Sequence, residues 1–384
     1  MKLLVRCGEA YRAERLVKIS SAVIPWTPGN RDVLSEDVWR DLLRKKFNVP
    51  VYCSAQTVDR ELWREMGTSE EQYERQREMN DRARDLGVAL TCTCAPYTVG
   101  YCPMFGSHVS SEESACIPYL NSVIGARTHR ESSFTHLASA IIGKTSFSGL
   151  HVGENRAGDV LVEVKTSIQD VSDYDALGYY VGEHVGLQIP VFTGLRRPYM
   201  EHLKSLGSAM STSGPVGLYH VVGVTPEAPD LRRAFGGKRP SDKIVVGNDE
   251  LVKTREKLST IDSRKIEFVV LGCPHYSIKQ IEQVVRILRG RKVHRGVKLW
   301  IFTAEPTRLI ARRMGLDNAI RKSGGLLLAD TCVWNSGIFP SGAEVMATDS
   351  AKHAHYIPAV FGLEAIFGST RECINAAVAG KWDT

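Results

Sequence analysis

Three stretches decide the fold: VALTCTCAP at residues 88–96, EFVVLGCPH at 267–275 and LLLADTCVW at 326–334. Each begins as a short apolar run and passes directly into a cysteine flanked by proline or polar residues. Apolar continuity of this kind fits strands covered on both faces, as in buried parallel sheets. VPVY, VLVEV, IPVF, VGLYHVVGV and VKLWIF read the same way. Helical patterns lie between them. EEQYERQREMNDRARDL follows Thr68 and Ser69, carries acids in its first turn and arginines late, and stops at Gly87. SEDVWRDLLRKKF, EESACIPYLNSVI before Gly125, ESSFTHLASAII before Gly143, NDELVKTREKL, and SIKQIEQVVRIL before Gly290 are further helices. Glycine marks several stops because it takes the left-handed cap conformation without penalty. Strands alternating with helices predict an α/β protein of stacked units with largely parallel sheets. The Pro-, Gly- and charge-rich stretch from Pro226 to Asn248 reads as an exposed connection, dividing the chain into lobes 1–225 and 226–384.

The 384 residues are 43% hydrophobic and 24% charged, enough to bury a substantial core in two lobes. A net charge of +6 is spread along the chain without a basic, aromatic-interleaved run, which argues against nucleic acid and favours small anionic substrates. Arg6, Glu9 and Arg12 interrupt any apolar leader, and no stretch approaches about 18 apolar residues, so a cytoplasmic protein without a membrane span is expected. Nine cysteines in such a chain are expected to be reduced, and the absence of a C-x-x-C pair means that a metal site must be assembled from distant segments.

Cys94, Cys273 and Cys332 each stand just beyond a strand end. In open α/β sheets that is where residues from remote segments converge on a ligand. Three thiolates meeting at one point suit a [4Fe-4S] cluster whose fourth iron is open and acts as a Lewis acid. Free cysteines are also common as small core residues, and Cys92 and Cys102 lie close enough to Cys94 to take its place. The densest polar segment runs from Cys94 to Arg156. Within it Asn121, Ser122 and Arg127 surround a glycine-terminated helix end and form a plausible carboxylate or phosphate cradle, although Arg127 also has Glu131 at helical spacing. The polar loop Ser54–Thr57 adds Gln56 and Thr57 as substrate contacts, and His108, Glu112 and His275 are candidate proton carriers.

At these residues the sequence resembles the aconitase X family. The resemblance runs through TCAPYTVG, GSHVSSEESA, NSVIGARTHRE, GLHVGENR, GLYHVVGVTPEA, LGCPH, GGLLLADTC and AKHAHYIPA, spanning nearly the whole chain. The family often has GEHIAWSESSA in place of GSHVSSEESA and TTLN in place of Ser54–Thr57, which leaves specificity open. The resemblance implies an aconitase-like large domain and the same three cysteines as metal ligands. It also implies a small swivelling domain carrying the serine that abstracts the proton. This chain ends at AGKWDT without that domain, so it is expected to be the large subunit of a two-chain hydro-lyase. Two activities go with the family: dehydration of mevalonate 5-phosphate, favoured here, and dehydration of cis-3-hydroxy-L-proline. A recruited RNA-binding protein and a purely structural subunit are the expectations from other classes.

Overall fold

The protein is described by a computed structural model over residues 1–26 and 44–382. Three parallel sheets follow one another along the chain. In the first, the strand order is Val88–Ala89, Val51–Cys53, Ala22–Ile24, Ser110–Ser111. In the second it is Asp242–Val246, Val160–Val164, Pro190–Thr193, His220–Val221. The third places Leu326–Ala329, Lys298–Thr303, Phe268–Leu271, Val345–Thr348 and Glu364–Phe367 side by side. An antiparallel pair, Leu16–Lys18 with Lys144–Ser146, flanks the first unit. Phe268–Leu271 is buried at every position, as its unbroken apolar run requires.

The division into two lobes at 225/226 is corrected to three units. Pro226–Asn248 does carry exposed residues, but it is a connection within the second unit, because Asp242–Val246 returns to pair with Val160–Val164 along its full length. Each expected strand is present, VGLYHVVGV reduced to His220–Val221. Helices Glu70–Asp85, Ser133–Ile142, Asn248–Leu258 and Ile278–Leu288 also match their sequence signals. The helix expected over EESACIPYLNSVI starts only at Cys116 and passes into a π-turn, Leu120–Ile124. The helix expected over SEDVWRDLLRKKF lies largely outside the described residues.

Sequence periodicity missed Val171–Val185 and Met200–Ser213, which pack against one another. Both are buried over most of their length, so neither shows the polar stripe that betrays a surface helix. Gly178 lies at their crossing, where a Cβ would stand 2.4 Å from the Leu206 carbonyl oxygen.

The strand order places ligand-binding space at definite points. In the third sheet the chain starts in the middle with Phe268–Leu271, moves outward one way, then returns to the other side with Val345–Thr348. The first sheet does the same with Ala22–Ile24 and Ser110–Ser111. At such a reversal neighbouring strands send their connections apart and leave a crevice beyond their carboxyl ends.

The first and third units are locked by a buried ion pair. Arg308 donates through Nη1 to Asp59 Oδ2 at 2.6 Å, and both side chains are at most 1% exposed. The same carboxylate accepts from the backbone N–H groups of Glu61 and Leu62 at 2.8 Å and of Ala329 at 2.6 Å. Replacing Arg308 by Met removes one partner and strands a buried carboxylate, a loss of about 3–5 kcal/mol. Urea unfolding of Arg308→Met is expected to show that loss, while Arg308→Met combined with Asp59→Asn recovers part of it.

Candidate functional site

Cys94, Cys273 and Cys332 line one cavity. They reach it from three different strands: Val88–Ala89 of the first sheet, and Phe268–Leu271 and Leu326–Ala329 of the third. Ala55, Glu113, Trp334, Asn335, Lys352, His353 and Tyr356 complete most of the wall. Glu113 follows the strand at the reversal point of the first sheet, and Lys352 follows the one at the reversal point of the third. The cavity is therefore the joint crevice of two sheets.

His275 holds the three cysteine turns in register. Its backbone N–H donates to Cys94 Sγ at 3.2 Å. Its Nε2 lies 2.9 Å from the Thr331 carbonyl oxygen beside Cys332, and its Nδ1 lies 2.9 Å from Thr93 Oγ1 beside Cys94. A neutral imidazole satisfies both contacts by donating from Nε2 and accepting at Nδ1. Burial enforces that state by pushing its pKa down to about 4. Beneath the same turn, the buried Lys204 donates to the His275 carbonyl oxygen at 2.6 Å and to Gln280 Oε1 at 2.8 Å. Gly272 admits the turn at a positive φ of 99°, where a Cβ would meet the Phe302 carbonyl oxygen at 2.3 Å. His275 is thus a brace, with no nitrogen left to carry a proton to a substrate.

Burial raises the thiols, to about 12 for Cys273, to about 11 for Cys332, and well up for Cys94. Lys352 works the other way on Cys273 and Cys332. Its own ammonium is opposed by burial, but Glu113, Cys273 and Cys94 more than offset that and hold it charged. Lys352 Nζ donates to Ser114 Oγ at 2.8 Å and stands 3.7 Å from Glu113 Oε1.

The other cysteines lie apart from this wall. Cys92 packs in the first unit's core with its sulfur 3.5 Å from that of Cys53, and Cys102 is exposed. The expected anion cradle is not at the cavity either. Asn121 is fully buried and spends its amide on the Thr128 and Gly217 carbonyls, the Thr128 N–H and Arg156. Ser122 Oγ accepts from the Tyr219 N–H at 2.8 Å. Arg127 donates to the His151 carbonyl oxygen at 3.3 Å, in a group where His108 and His151 meet at 2.9 Å through Nδ1. Gln56 and Thr57 also turn inward, bonding to Asn80 and Gln76 of the helix Glu70–Asp85. Their backbone serves the site, through the Gln56 N–H to the Asp330 carbonyl oxygen at 2.7 Å. Glu112 is bonded by Ser133 and does not line the cavity. Glu113, Lys352 and His353 were passed over in the sequence, where nothing but their place in the GSHVSSEESA and AKHAHYIPA segments marked them.

Among the described residues no group of three or more His, Cys, Asp or Glu side chains is placed to hold a single metal ion, and no helix is long and apolar enough to cross a membrane. The arrangement is that of a layered α/β protein with a thiol-lined ligand cavity where two sheets reverse.

Comparison with known proteins supplies the family. The aconitase X first, second and third domains match residues 1–154, 158–256 and 266–379. The chain is 39% identical to the phosphomevalonate dehydratase large subunit of Methanothermobacter thermautotrophicus, over 96% of this chain and 91% of that one. It is 33% identical to the cis-3-hydroxy-L-proline dehydratase of Pseudomonas aeruginosa, over 99% of this chain and 67% of that longer protein. A crystal structure of Thermococcus kodakaraensis aconitase X in its holo-form superposes with a TM-score of 0.86 at 30% identity, covering 98% of this chain and 94% of that one. The chain belongs to the aconitase X family.

The brace has a signed pH dependence. An imidazole titrates near 6.5 when unfolded and near 4 here, so between those values the unfolded chain binds the proton first. The stability His275 contributes is complete above about pH 6.5 and is lost as pH falls toward 4. Urea midpoints measured from pH 7.5 to 4.5 should therefore fall more steeply for the native chain than for His275→Gln. The variant should be less stable at pH 7.5, by about 1–3 kcal/mol for each buried partner left unpaired.

Proposed function

We propose that this chain is the cluster-bearing large subunit of a dehydratase that acts on mevalonate 5-phosphate and is completed by a separate small subunit. The observation that carries the reading is the convergence of Cys94, Cys273 and Cys332 on one cavity from three strand ends. Several relatives support the substrate and the subunit division by name, each a phosphomevalonate dehydratase large subunit at 35–39% identity.

The residues present fit a [4Fe-4S] cluster. A cubane takes one thiolate per iron, and the cavity is lined by three cysteines from separate segments, the donor type such a cluster needs. Three cysteines leave one corner of the cube for substrate. When bound, such a cluster supplies a Lewis acid toward the hydroxyl that leaves. The protein's own contributions are specific. The N–H of His275 donates to the Cys94 sulfur, Lys352 brings positive charge to the thiols, and Trp334 and Tyr356 wall the cavity with apolar surface. His275 lacks a nitrogen free for proton abstraction, and Glu113 is beside Lys352, so the base is assigned to the partner. A cytoplasmic location accords with reduced thiols at the site.

Anaerobic reconstitution with iron and sulfide should give the native chain a brown, iron-containing product. Serine at position 94, 273 or 332 should remove iron or turnover, whereas serine at 92 or 102 should leave both. Full iron and full rate in all three single variants would refute the assignment. The purified chain should turn over mevalonate 5-phosphate only after a small subunit is added, and faster dehydration of cis-3-hydroxy-L-proline by that complex would replace the substrate.

A further inference from the structure

The wall of the cavity beside Cys273 is the start of the helix Ala351–Phe361, capped by Ser350, which follows the strand Val345–Thr348 at the reversal point of the third sheet. Three features of that helix start point to an anion. The first is its dipole: an eleven-residue helix presents its positive end at its N-terminus, although Ser350 Oγ already takes the His353 N–H and Asp175 the Ala351 N–H. The second is Lys352, a half-buried ammonium with three donors, of which Ser114 Oγ takes one. The third is His353. Its ring is 1% exposed and lines the cavity, yet neither nitrogen has a hydrogen-bond partner among the described residues. A buried imidazole without partners is costly, so a fold that keeps one beside a cavity keeps it for something that enters there.

We propose that Lys352 and His353 bind the carboxylate of the hydroxy-acid substrate, an assignment that rests on the dehydratase reading above. A carboxylate fits better than the phosphate on charge. Lys352 and Glu113, 3.7 Å apart, balance one another, so a carboxylate adds a single negative charge to the pocket, whereas a phosphate would add nearly two. Position agrees: the carboxylate sits next to the carbon that loses its proton, and this pair shares the cavity with the three cysteines. Arg127, expected from sequence to take the anion, donates from Nη1 to the His151 carbonyl and does not line this cavity. Lys352 and His353 thereby act as positioning and binding groups for the carboxylate end, leaving the phosphate to be held elsewhere.

The test compares the reconstituted native chain with Lys352→Met, Lys352→Arg and His353→Leu. Three readouts are taken: iron content, calorimetric binding of mevalonate 5-phosphate and of 3-hydroxybutyrate, and the split between KM and kcat with the small subunit present. Lys352→Met and His353→Leu should keep their iron, bind both carboxylates more weakly by roughly 10- to 150-fold for the charged contact, and raise KM, with Lys352→Arg recovering part of the loss. Two results would overturn the proposal: unchanged binding of both probes in Lys352→Met, or loss of iron in that variant with retention in Lys352→Arg, which would confine Lys352 to its role as counter-charge for the thiols. A native chain that takes up no iron and dehydrates neither substrate sinks the functional reading instead. The 3-hydroxybutyrate titration still decides the carboxylate site in that case.

Discussion

The site depends on one buried imidazole. His275 touches each of the three cysteine turns: through its own backbone it is two residues from Cys273 and donates to Cys94 Sγ, through Nδ1 it meets Thr93, and through Nε2 it meets Thr331. The contacts that join these turns span 56 to 182 residues of sequence, so no local propensity can set their spacing. A ring that is neutral, rigid and bonded at both ends can. Lys204 supports the same turn from below, which makes the second unit a participant although none of its strands supplies a cysteine.

Larger constraints bring the turns within reach of that ring. The strand orders of the first and third sheets each reverse once, and the crevices left by the two reversals face a common space. The Arg308–Asp59 pair fixes the first unit against the third, since its carboxylate also binds the Ala329 N–H at the end of the strand that leads to Cys332. The Gln56 N–H reaches the Asp330 carbonyl oxygen beside it. Burying such a pair is expensive in isolation; its worth here is to define one docking geometry, which the cavity requires.

The parts of this architecture that were legible in the sequence are those with a local cause. Apolar runs gave the strands, Ser69 ahead of an acidic first turn gave a helix start, and the repeated step from strand to cysteine marked three residues that do share a cavity. Family resemblance extended that reading across the chain. Three-unit organisation was hidden because an exposed, Pro-rich crossing looks the same inside a unit as between two. The anion cradle at Asn121, Ser122 and Arg127 was misplaced for a different reason. Dense polar sequence shows that hydrogen-bonding capacity is present and says nothing about where the fold directs it, and here Asn121 spends its whole side-chain amide internally. Lys352 and His353 went unnoticed because a lysine and a histidine at a helix start are ordinary until burial and the missing partners of His353 are seen together.

The most direct measurement is anomalous diffraction at the iron edge from crystals of the anaerobically reconstituted chain. The account predicts one iron peak per molecule, bounded by the sulfurs of Cys94, Cys273 and Cys332, with the His275 ring in place between Thr93 and Thr331. Iron bound elsewhere, or a reconstituted protein in which any of the three sulfurs stands away from the peak, would contradict it.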